Sequence, residues 1–401
     1  MSADKAKSAA RPKPRRTRAR PKPKPKPKPK PGPKPKPRPK PGPRPGPKPI
    51  PKAPGKGPAT SSAIEHVVII VKENHTFDNY FGTFPGAAGV PLGRAVDPEM
   101  PDPPHDHEAW LHRDDPAPKG AVRLQYGKTD IPAYWAFAQQ YALCDNYFTE
   151  IATQSEPNHL VLITGGTPLI DNATPNRAYQ PQPPFDVPSL PALLKAAGFE
   201  WRSYSDDPAA SYFRHIKALA GDPWNVNGKQ FDQDAAGGTL PAVSWLYAPG
   251  PFGEHPGPKG GQPNVGPGSQ WTAARVAAVA GGPLWPKTAI FITWDDWGGH
   301  YDHVPPPNVL QWTKGGPAGY TGSQFRYGNR VPCLVVSPYA NVGVNSNFHS
   351  HVSIVKFCLR NFSLPALGAF DAVPNDRSDD MWNCFNFMAP PRLAAPSPVP
   401  K

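Results

Sequence analysis

The chain has 401 residues and a formal net charge of +13, which first suggests nucleic acid or an anionic membrane surface as its partner. The charge is unevenly placed, because residues 1–60 hold 21 of the 44 Lys and Arg residues but only one of the 31 acids. The remaining residues are net acidic, so the overall charge says little about the substrate.

Residues 1–61 are predicted to form a disordered tail in which Pro alternates with Lys or Arg over most of residues 20–52. Proline lacks an N–H and fixes φ, so this tract forms neither helix nor sheet and is expected to be an extended spacer. The tail is either a solvated linker or a tether to an anionic cell wall, a membrane surface or nucleic acid. The rest is long enough for one large α/β domain or two smaller ones, and we favour one.

The first ordered element is predicted at residues 64–71, where a largely β-branched run is typical of a strand buried on both faces. Glu73 and Asn74 follow this strand almost directly, so an acid and an amide are presented together at its end. Such oxygens are the ligands that a hard cation needs. The alternative is that Glu73 caps the following helix and Asn74 shapes the turn.

The middle of the chain contains two predicted helices and a hydroxyl-rich segment. The helices are expected at 132–142 and at 189–198, the second with Ser189 as its cap and Gly198 as its stop. The segment TQSEPNH, residues 153–159, is predicted as a turn before the apolar run LVLITG. A hydroxyl there would be a nucleophile if a metal lowered its pKa. The alternative is a simple Ser/Thr turn.

A second buried strand is predicted at 289–294, and the acidic segment WDDWGGHYDHVPPP begins at its end. The adjacent carboxylates of Asp295 and Asp296 would repel each other unless a cation lies between them. Gly298 and Gly299 allow a sharp turn and close approach to a ligand. The alternative is an acidic surface loop.

A third strand is predicted at 331–336, with helices at 270–279 and 352–361. Strands that alternate with helices indicate an α/β fold with a parallel sheet covered on both faces. Ligands in such sheets bind beyond the carboxyl ends of the strands. We therefore expect the polar residues after the first two strands to lie at one edge.

Several histidines and cysteines lie outside these motifs. His105, His255 and His351 are close to turn signals, so each is a candidate to donate to a phosphoryl oxygen or to protonate a leaving group. The four cysteines have no CxxC pair and no metal-type spacing, so they indicate neither a zinc site nor a disulfide framework. We find no apolar run long enough to span a bilayer and no apolar stretch typical of a signal peptide.

Four segments together resemble the bacterial phosphoesterase family, which includes phospholipases C and an acid phosphatase. These are IEHVVIIVKENHTFDNYFG, SEPNHLVLITG, FITWDDWGGHYDHVPPP and GNRVPCLVVSPYA, in that order. The resemblance covers residues 62–364 and implies an alkaline-phosphatase-like fold, a mostly parallel central sheet with helices on both faces. It implies a catalytic domain at 62–365 followed by a C-terminal extension at 366–401, and a secreted or cell-envelope location.

The resemblance also implies roles for individual residues. A divalent metal ion (Ca, Mg, Mn or Zn) would be bound by Glu73, Asn74, Ser155, Asp295 and Asp296. Ser155, rather than Thr153, would be the nucleophile and would form a phosphoenzyme. His105, His255 and His351 would contact the phosphate, with His303 a weaker candidate.

Four positions depart from the family pattern. His75 and His159 stand where many members have Arg, Ser350 where an Asp is common, and Asp296 where Glu is common. These departures affect substrate preference and the orientation of His351 more than hydrolysis itself.

The expected activity is phospholipase C-like cleavage of a phospholipid diester, with an acid phosphatase acting on monoesters as the alternative. A further alternative is a non-catalytic binding protein anchored by its basic tail.

Overall fold

A computed structural model describes residues 58–98, 101–177, 179–257, 265–308, 310–311, 323–367 and 377–400. These residues belong to one compact unit. The predicted Lys/Pro tail lies outside the described residues except for positions 58–61.

An eight-stranded sheet forms the centre of the described structure. Its strands, in chain order, are β1 (His66–Lys72), β2 (Ala142–Cys144), β3 (Trp201–Ser205), β4 (Asn225–Asn227), β5 (Val243–Tyr247), β6 (Thr288–Trp294), β7 (Cys333–Val336) and β8 (Gly343–Asn345). Six further two- or three-residue strands form three small ladders: Gly93–Arg94 with Leu124–Gln125, Tyr147–Phe148 with His349–Ser350, and Leu310–Gln311 with Gln324–Arg326.

The described residues form eight α-helices in addition to the sheet. They are α1 (Phe77–Phe81), α2 (His107–Leu111), α3 (Pro132–Gln140), α4 (Ser155–Thr164), α5 (Leu190–Ala196), α6 (Gln230–Gly237), α7 (Val265–Ala280) and α8 (His351–Asn361). Short 3₁₀ helices lie at Tyr212–His215, Gly250–Phe252, Trp285–Lys287 and Trp382–Cys384. Helices α3, α6 and α7 contact one another in one group, and α4, α5 and α8 in another.

The strand order is β8-β2-β7-β6-β1-β5-β3-β4. β1 pairs in parallel with both β5 and β6, whereas β7 pairs antiparallel with β6 and β2. Among the eight described strands, β7 alone runs in the opposite direction. The predicted α/β class and mostly parallel sheet are therefore confirmed. β6 is buried along its whole length, as expected for a strand with both faces covered.

The predicted elements are present, with shifted ends and one wrong assignment. Ser189 caps α5 by accepting from the Ala192 amide, and Gly198 adopts a φ of 83° after the helix, as predicted. The helix predicted at 132–142 ends at Gln140, because the chain then enters β2. The segment at 153–159 is not only a turn: Ser155 begins α4, which continues through the apolar run to Thr164.

The parallel order brings several loops to one edge of the sheet. β1, β5 and β6 all end there, and antiparallel β7 begins there, with Cys333 opposite Thr293. The C-terminal segment packs against the same core, since Phe385 stacks on Phe357 of α8. Among the described residues, no helix has both the length and the apolar character needed to cross a bilayer.

Candidate active site at the carboxyl edge of the sheet

The residues after β1 and β6 meet beyond the ends of these strands, as the sequence predicts. Asn74 donates its backbone N–H to Asp295 Oδ1 over 3.0 Å, which joins the two loops directly. Asn74 has a φ of 57°, a left-handed conformation that Asn tolerates better than most residues. Gly298 passes so close that a Cβ there would lie 2.3 Å from the Asn74 carbonyl oxygen. The predicted glycine turn is thus present, and its close approach is to Asn74.

The two adjacent acids occupy different environments. Asp296 accepts from the Gly298 amide at 2.6 Å with one oxygen and from Ser155 Oγ at 3.1 Å with the other. Burial raises the pKa of Asp296 well above its usual range, and the charge of Asp295 raises it further. Burial also acts on Asp295, but the contact with His159 outweighs it and lowers the pKa of Asp295. Without a cation, only one of the pair is therefore readily ionised.

His159 completes a group of three ligand-type side chains. Its Nε2 lies 3.3 Å from Asp295 Oδ2 and 3.5 Å from Glu73 Oε1. Burial lowers the pKa of His159, but the two carboxylates outweigh burial and raise it to about 9. The ring stacks on Tyr212 at a centroid distance of 4.2 Å. The position that departs from the family pattern thus carries a positive charge against the predicted metal ligands.

Unsatisfied buried oxygens indicate that this group fits a cation. Asn74 Oδ1 and Asp295 Oδ2 are buried and make no hydrogen bond to any described residue, although Asp295 Oδ2 lies 3.3 Å from the charged His159 ring. Buried oxygens without a hydrogen bond are rare in folded proteins, because the loss of hydration costs free energy. Together with Glu73, Ser155 and Asp296, they form a set that we call the oxygen cluster. Its carboxylate, amide and hydroxyl oxygens are suited to a hard divalent ion.

His105 and His255 lie beside the oxygen cluster. Asn74 Nδ2 donates to His105 Nε2 at 3.2 Å, and His105 Nδ1 donates to the Pro103 carbonyl at 2.7 Å. This arrangement directs Asn74 Oδ1 away from His105. The two imidazole rings are 5.7 Å apart, and Asp102 Oδ1 lies 3.6 Å from His105 Nδ1 and 4.0 Å from His255 Nδ1.

His255 is the more available of these two imidazoles. Its Nδ1 donates to the Pro256 carbonyl, which leaves Nε2 without a hydrogen-bond partner in the part of the chain that the structure describes. Burial lowers the pKa of His255, but the charge of Glu73 and the bond to Pro256 outweigh it, and the net pKa is raised. A proton on Nε2 is therefore retained at a higher pH than in a free imidazole.

His351 contacts the backbone of the oxygen cluster. Its Nε2 donates to the Asp295 carbonyl at 2.7 Å, and its Nδ1 accepts from the Tyr147 hydroxyl at 3.0 Å. Burial lowers its pKa to about 4, so the ring is neutral. The predicted phosphate contact of His351 stays a prediction, since both ring nitrogens have protein partners here.

His303 belongs to a separate group. Its ring bonds to Asp78 at 2.6 Å, and Arg330 bridges Asp78 and Asp302. We call Asp78, Asp302, His303 and Arg330 the arginine cluster. A role for His303 in phosphate contact also stays a prediction.

The contacts of Thr153, and the residue that caps α1, bear on the alternatives that the sequence left open. The Thr153 hydroxyl donates to Asp171, whereas Ser155 faces Asp296. The residue that caps α1 is Thr76, which accepts from the Asn79 amide, so the interpretation of Glu73 as the cap is wrong. Asp295 and Asp296 are fully buried, so the alternative of an acidic surface loop is also wrong.

Sequence reasoning missed Asp102 and the part that His159 takes in the cluster. Asp102 lies in a proline-rich loop, PDPPHDH, with no strand before it to mark a site. His159 was visible as an unusual residue at a family position, but the sequence contained no sign that it faces Glu73 and Asp295. Its place on α4, one turn after Ser155, could have indicated the same helix face.

A cavity of about 570 Å³ is lined in part by the loop that leads to His105. Its walls include Pro103, Pro104, Leu124 and Trp297, and they are mainly apolar. Trp297 Nε1 donates to the His105 carbonyl at 2.9 Å, which links the cavity wall to the histidine pair.

The chain is similar in sequence to known proteins. The profile of the Phosphoesterase family matches residues 64–105 and 104–365. A non-hemolytic phospholipase C of Pseudomonas aeruginosa is 28% identical over 82% of this chain, and the chain spans 58% of that relative's length. Phospholipase C A of Mycobacterium tuberculosis is 27% identical over 85% of this chain and 80% of its own length. A solved Vibrio parahaemolyticus protein of the alkaline phosphatase superfamily matches with a TM-score of 0.43 at 11% identity, over 80% of this chain and 72% of its own.

Proposed function

Because this chain belongs to the Phosphoesterase family, we propose that it hydrolyses phosphate esters with Ser155 as the nucleophile. The observation that carries this proposal is the position of the Ser155 hydroxyl, 3.1 Å from Asp296 within the oxygen cluster. A buried hydroxyl among three acids and an amide has no evident structural purpose. The same set has the composition needed to activate a hydroxyl for attack.

The oxygen cluster would bind a divalent ion through Glu73, Asn74, Ser155, Asp295 and Asp296. When bound, the ion would neutralise the repulsion between the acids and lower the pKa of the serine hydroxyl. The oxygen ligands favour calcium, magnesium or manganese, and zinc is a further candidate.

Ser155, Asp296 and Asn74 have different roles in the proposed reaction. The Ser155 hydroxyl gives its proton to solvent and its Oγ attacks phosphorus, so that an Oγ–P bond forms while the P–O bond to the leaving alkoxide breaks. The alkoxide takes up a proton from His255. Water then hydrolyses the phosphoserine and restores the hydroxyl. Asp296 holds the Ser155 side chain by accepting its hydrogen bond, and the Asn74 amide holds Asp295.

The histidines beside the oxygen cluster supply positive charge near the bound phosphate and a proton to it. His255 has a raised pKa, and no described residue bonds to its Nε2, which suits it to donate to a phosphoryl oxygen or to the departing alkoxide. His159 adds a fixed positive charge beside Glu73 and Asp295. His351 positions Asp295 through its carbonyl, and it would contact phosphate only by exchanging one of its two hydrogen bonds.

Two substitutions test the nucleophile. Ser155→Ala should lower kcat by at least about 10⁴-fold while the free energy of unfolding stays near the wild-type value. Thr153→Val is the matched control: it removes a hydroxyl two residues away, which costs about 1 kcal/mol of stability, and it should keep activity. An active Ser155→Ala protein, or an inactive but folded Thr153→Val protein, would contradict the assignment.

We propose a phospholipid diester as the substrate because of the apolar cavity at the loop that leads to His105. An acyl or glyceride group would bury apolar surface there, whereas a small monoester would leave the cavity unused. Incubation with phosphatidylcholine vesicles should release phosphocholine. Release of inorganic phosphate from simple monoesters, with no action on the vesicles, would favour the acid phosphatase alternative. Leu124→Asp, in the cavity wall, should impair vesicle hydrolysis more than hydrolysis of a soluble phosphocholine ester.

The basic tail is proposed to bring the enzyme to an anionic surface, for which its charge is suited. Deletion of residues 1–60 should reduce binding to anionic vesicles at low salt. The deletion should leave hydrolysis of the soluble ester unchanged.

A further inference from the structure

Two cysteines and one histidine, Cys144, Cys384 and His349, meet where β2 ends, although they are widely separated in sequence, and a third cysteine, Cys333, lies on the neighbouring strand. Cys144 ends β2 and lies opposite Cys333 of β7 in the antiparallel ladder, so both side chains share a face. Cys384 lies in the C-terminal segment, with its sulfur 3.8 Å from that of Cys144. His349 Nε2 is 3.9 Å from Cys384 Sγ. We call Cys144, Cys333, Cys384 and His349 the thiol cluster.

His349 is held in a defined orientation. Its Nδ1 bonds to Asp379 Oδ1 at 2.5 Å, which directs Nε2 toward the sulfurs. Asn345 donates its amide to Cys384 Sγ at 3.3 Å, and its Oδ1 lies 3.3 Å from His349 Nε2. A carboxylate behind the imidazole and an N–H donor to the thiolate are the outer contacts that protein metal ligands commonly have.

The spacing of these atoms matches a tetrahedral metal site. Zinc bonds of about 2.3 Å to sulfur and about 2.0 Å to nitrogen place two sulfurs of a tetrahedron about 3.8 Å apart and a sulfur and a nitrogen about 3.5 Å apart. The ligand atoms of Cys144, His349 and Cys384 all lie within 4.8 Å of one another. The atoms are therefore close to the separations that a zinc ion would impose.

We propose that Cys144, Cys384 and His349 bind a structural zinc ion, with Cys333 as the fourth ligand. Binding displaces the thiol protons, which pass to solvent, and replaces any proton that His349 Nε2 shares with Asn345. No oxidation or reduction is involved. Soft sulfur ligands distinguish this site from the oxygen cluster, which contains no cysteine.

The zinc ion would attach the C-terminal segment to the sheet. Cys384 and Asp379 come from that segment, whereas Cys144 and Cys333 come from neighbouring strands. His349 lies two residues before His351, whose ring bonds to the Asp295 carbonyl. The site would therefore stabilise the part of the structure that holds His351, and its existence does not depend on the proposed reaction.

Cobalt provides the most direct test. The full-length protein, purified under reducing conditions and freed of metal, is titrated with Co²⁺ and then with Zn²⁺. Tetrahedral cobalt–thiolate bands in the near ultraviolet and visible are expected, with one zinc ion displacing them. The oxygen cluster cannot produce a thiolate band, so its occupancy does not interfere. Absence of the band in the folded wild-type protein would overturn the proposal without any variant.

Matched variants locate the site. Cys384→Ser should abolish the band or weaken metal affinity at least 100-fold, and Asp379→Asn should weaken it about 10- to 100-fold. Cys358→Ser is the control, because Cys358 is buried in α8 outside the cluster and should leave the titration unchanged. Equal effects of Cys384→Ser and Cys358→Ser would contradict the assignment. So would a Cys144–Cys384 disulfide found by peptide mapping of protein purified without reductant.

Discussion

Two clusters of largely buried acids lie at the same edge of the sheet, and the same two segments of the chain supply the acids of both. The segment after β1 contributes Glu73 and Asn74 to the oxygen cluster and then, from the start of α1, Asp78 to the arginine cluster. The loop after β6 contributes Asp295 and Asp296 to the first and Asp302 to the second. The two clusters differ in what neutralises their acids.

In the arginine cluster, the cation is part of the chain. Arg330 donates to Asp302 and Asp78 at 3.0 Å and to the carbonyls of Ala88 and Asp145 at 2.7 Å. Burial raises the pKa of Asp302 to about 6 despite Arg330, so this acid remains ionised at neutral pH. All parts of the guanidinium group have partners, as a stable buried ion pair requires.

In the oxygen cluster, the opposing charge among the described residues comes from two imidazoles, His159 beside Glu73 and Asp295 and His255 near Glu73. Two buried oxygens lack hydrogen-bond partners, and the pKa of Asp296 is raised well above its usual range. The contrast teaches that buried acids alone do not indicate a metal site. Acids that outnumber the internal cations do, because a bound ion would offset the desolvation of those left over.

The largest effect should follow the loss of Asp296. In Asp296→Asn, a neutral amide replaces the acid with the raised pKa, so the free energy of unfolding without metal should change by less than about 1 kcal/mol. Activity should fall by at least about 10³-fold, because one oxygen ligand and the partner of Ser155 are altered. Urea unfolding and kcat/KM measure the two quantities. A marked loss of stability would mean that the oxygen cluster is structural after all.

The opposite result is expected for the arginine cluster. Arg330→Met leaves Asp78 and Asp302 buried without their cation and should cost about 3–5 kcal/mol of stability. The fraction that remains folded should keep kcat/KM within a few-fold of wild type. Lys287→Met is the control, since its ion pair with Glu65 is half exposed and should contribute less than about 1 kcal/mol. Equal destabilisation by both substitutions would remove the distinction between the clusters.

Added hard cations should have a smaller effect, which is on the free energy of unfolding. Ca²⁺ or Mn²⁺ at about 100 times its dissociation constant should stabilise the wild-type protein by about 2.7 kcal/mol. Arg330→Met should gain the same increment, and Asp296→Asn should gain little. Thermal unfolding with and without the ion provides the measurement. If Asp296→Asn gains as much as wild type, the ion binds elsewhere.

Much of the framework could be predicted from the sequence. The buried runs before Glu73 and Asp295 have the composition of central parallel strands, and they are β1 and β6. Because ligands bind beyond the carboxyl ends of parallel strands, both acid groups were predicted to lie at one edge of the sheet. The other five strands of the sheet, β2, β3, β4, β5 and β8, were not predicted, because runs of three to five residues carry too little periodicity to separate a strand from a loop.

The candidate site was only partly predictable. Glu73, Asn74, Ser155, Asp295 and Asp296 follow from motif resemblance, and the structure brings them to one edge of the sheet. The contact of His159 with Glu73 and Asp295 depends on the angle at which α4 crosses the ends of the strands. Asp102 reaches His105 and His255 through a loop whose path has no local signature.

The sequence by itself determined the α/β class, the buried strands and the chemical identity of the ligands, because periodicity and residue type are local properties. The tertiary structure alone decided which buried acids are neutralised. Asp78 and Asp302 meet Arg330, which is distant in sequence, whereas Asp295 and Asp296 do not. The tertiary structure likewise brought Cys144, Cys333, Cys384 and His349 together, although their spacing along the sequence is not typical of a metal site. The distances between these side chains depend on the pairing of β2 with β7 and on the C-terminal segment that packs beside them.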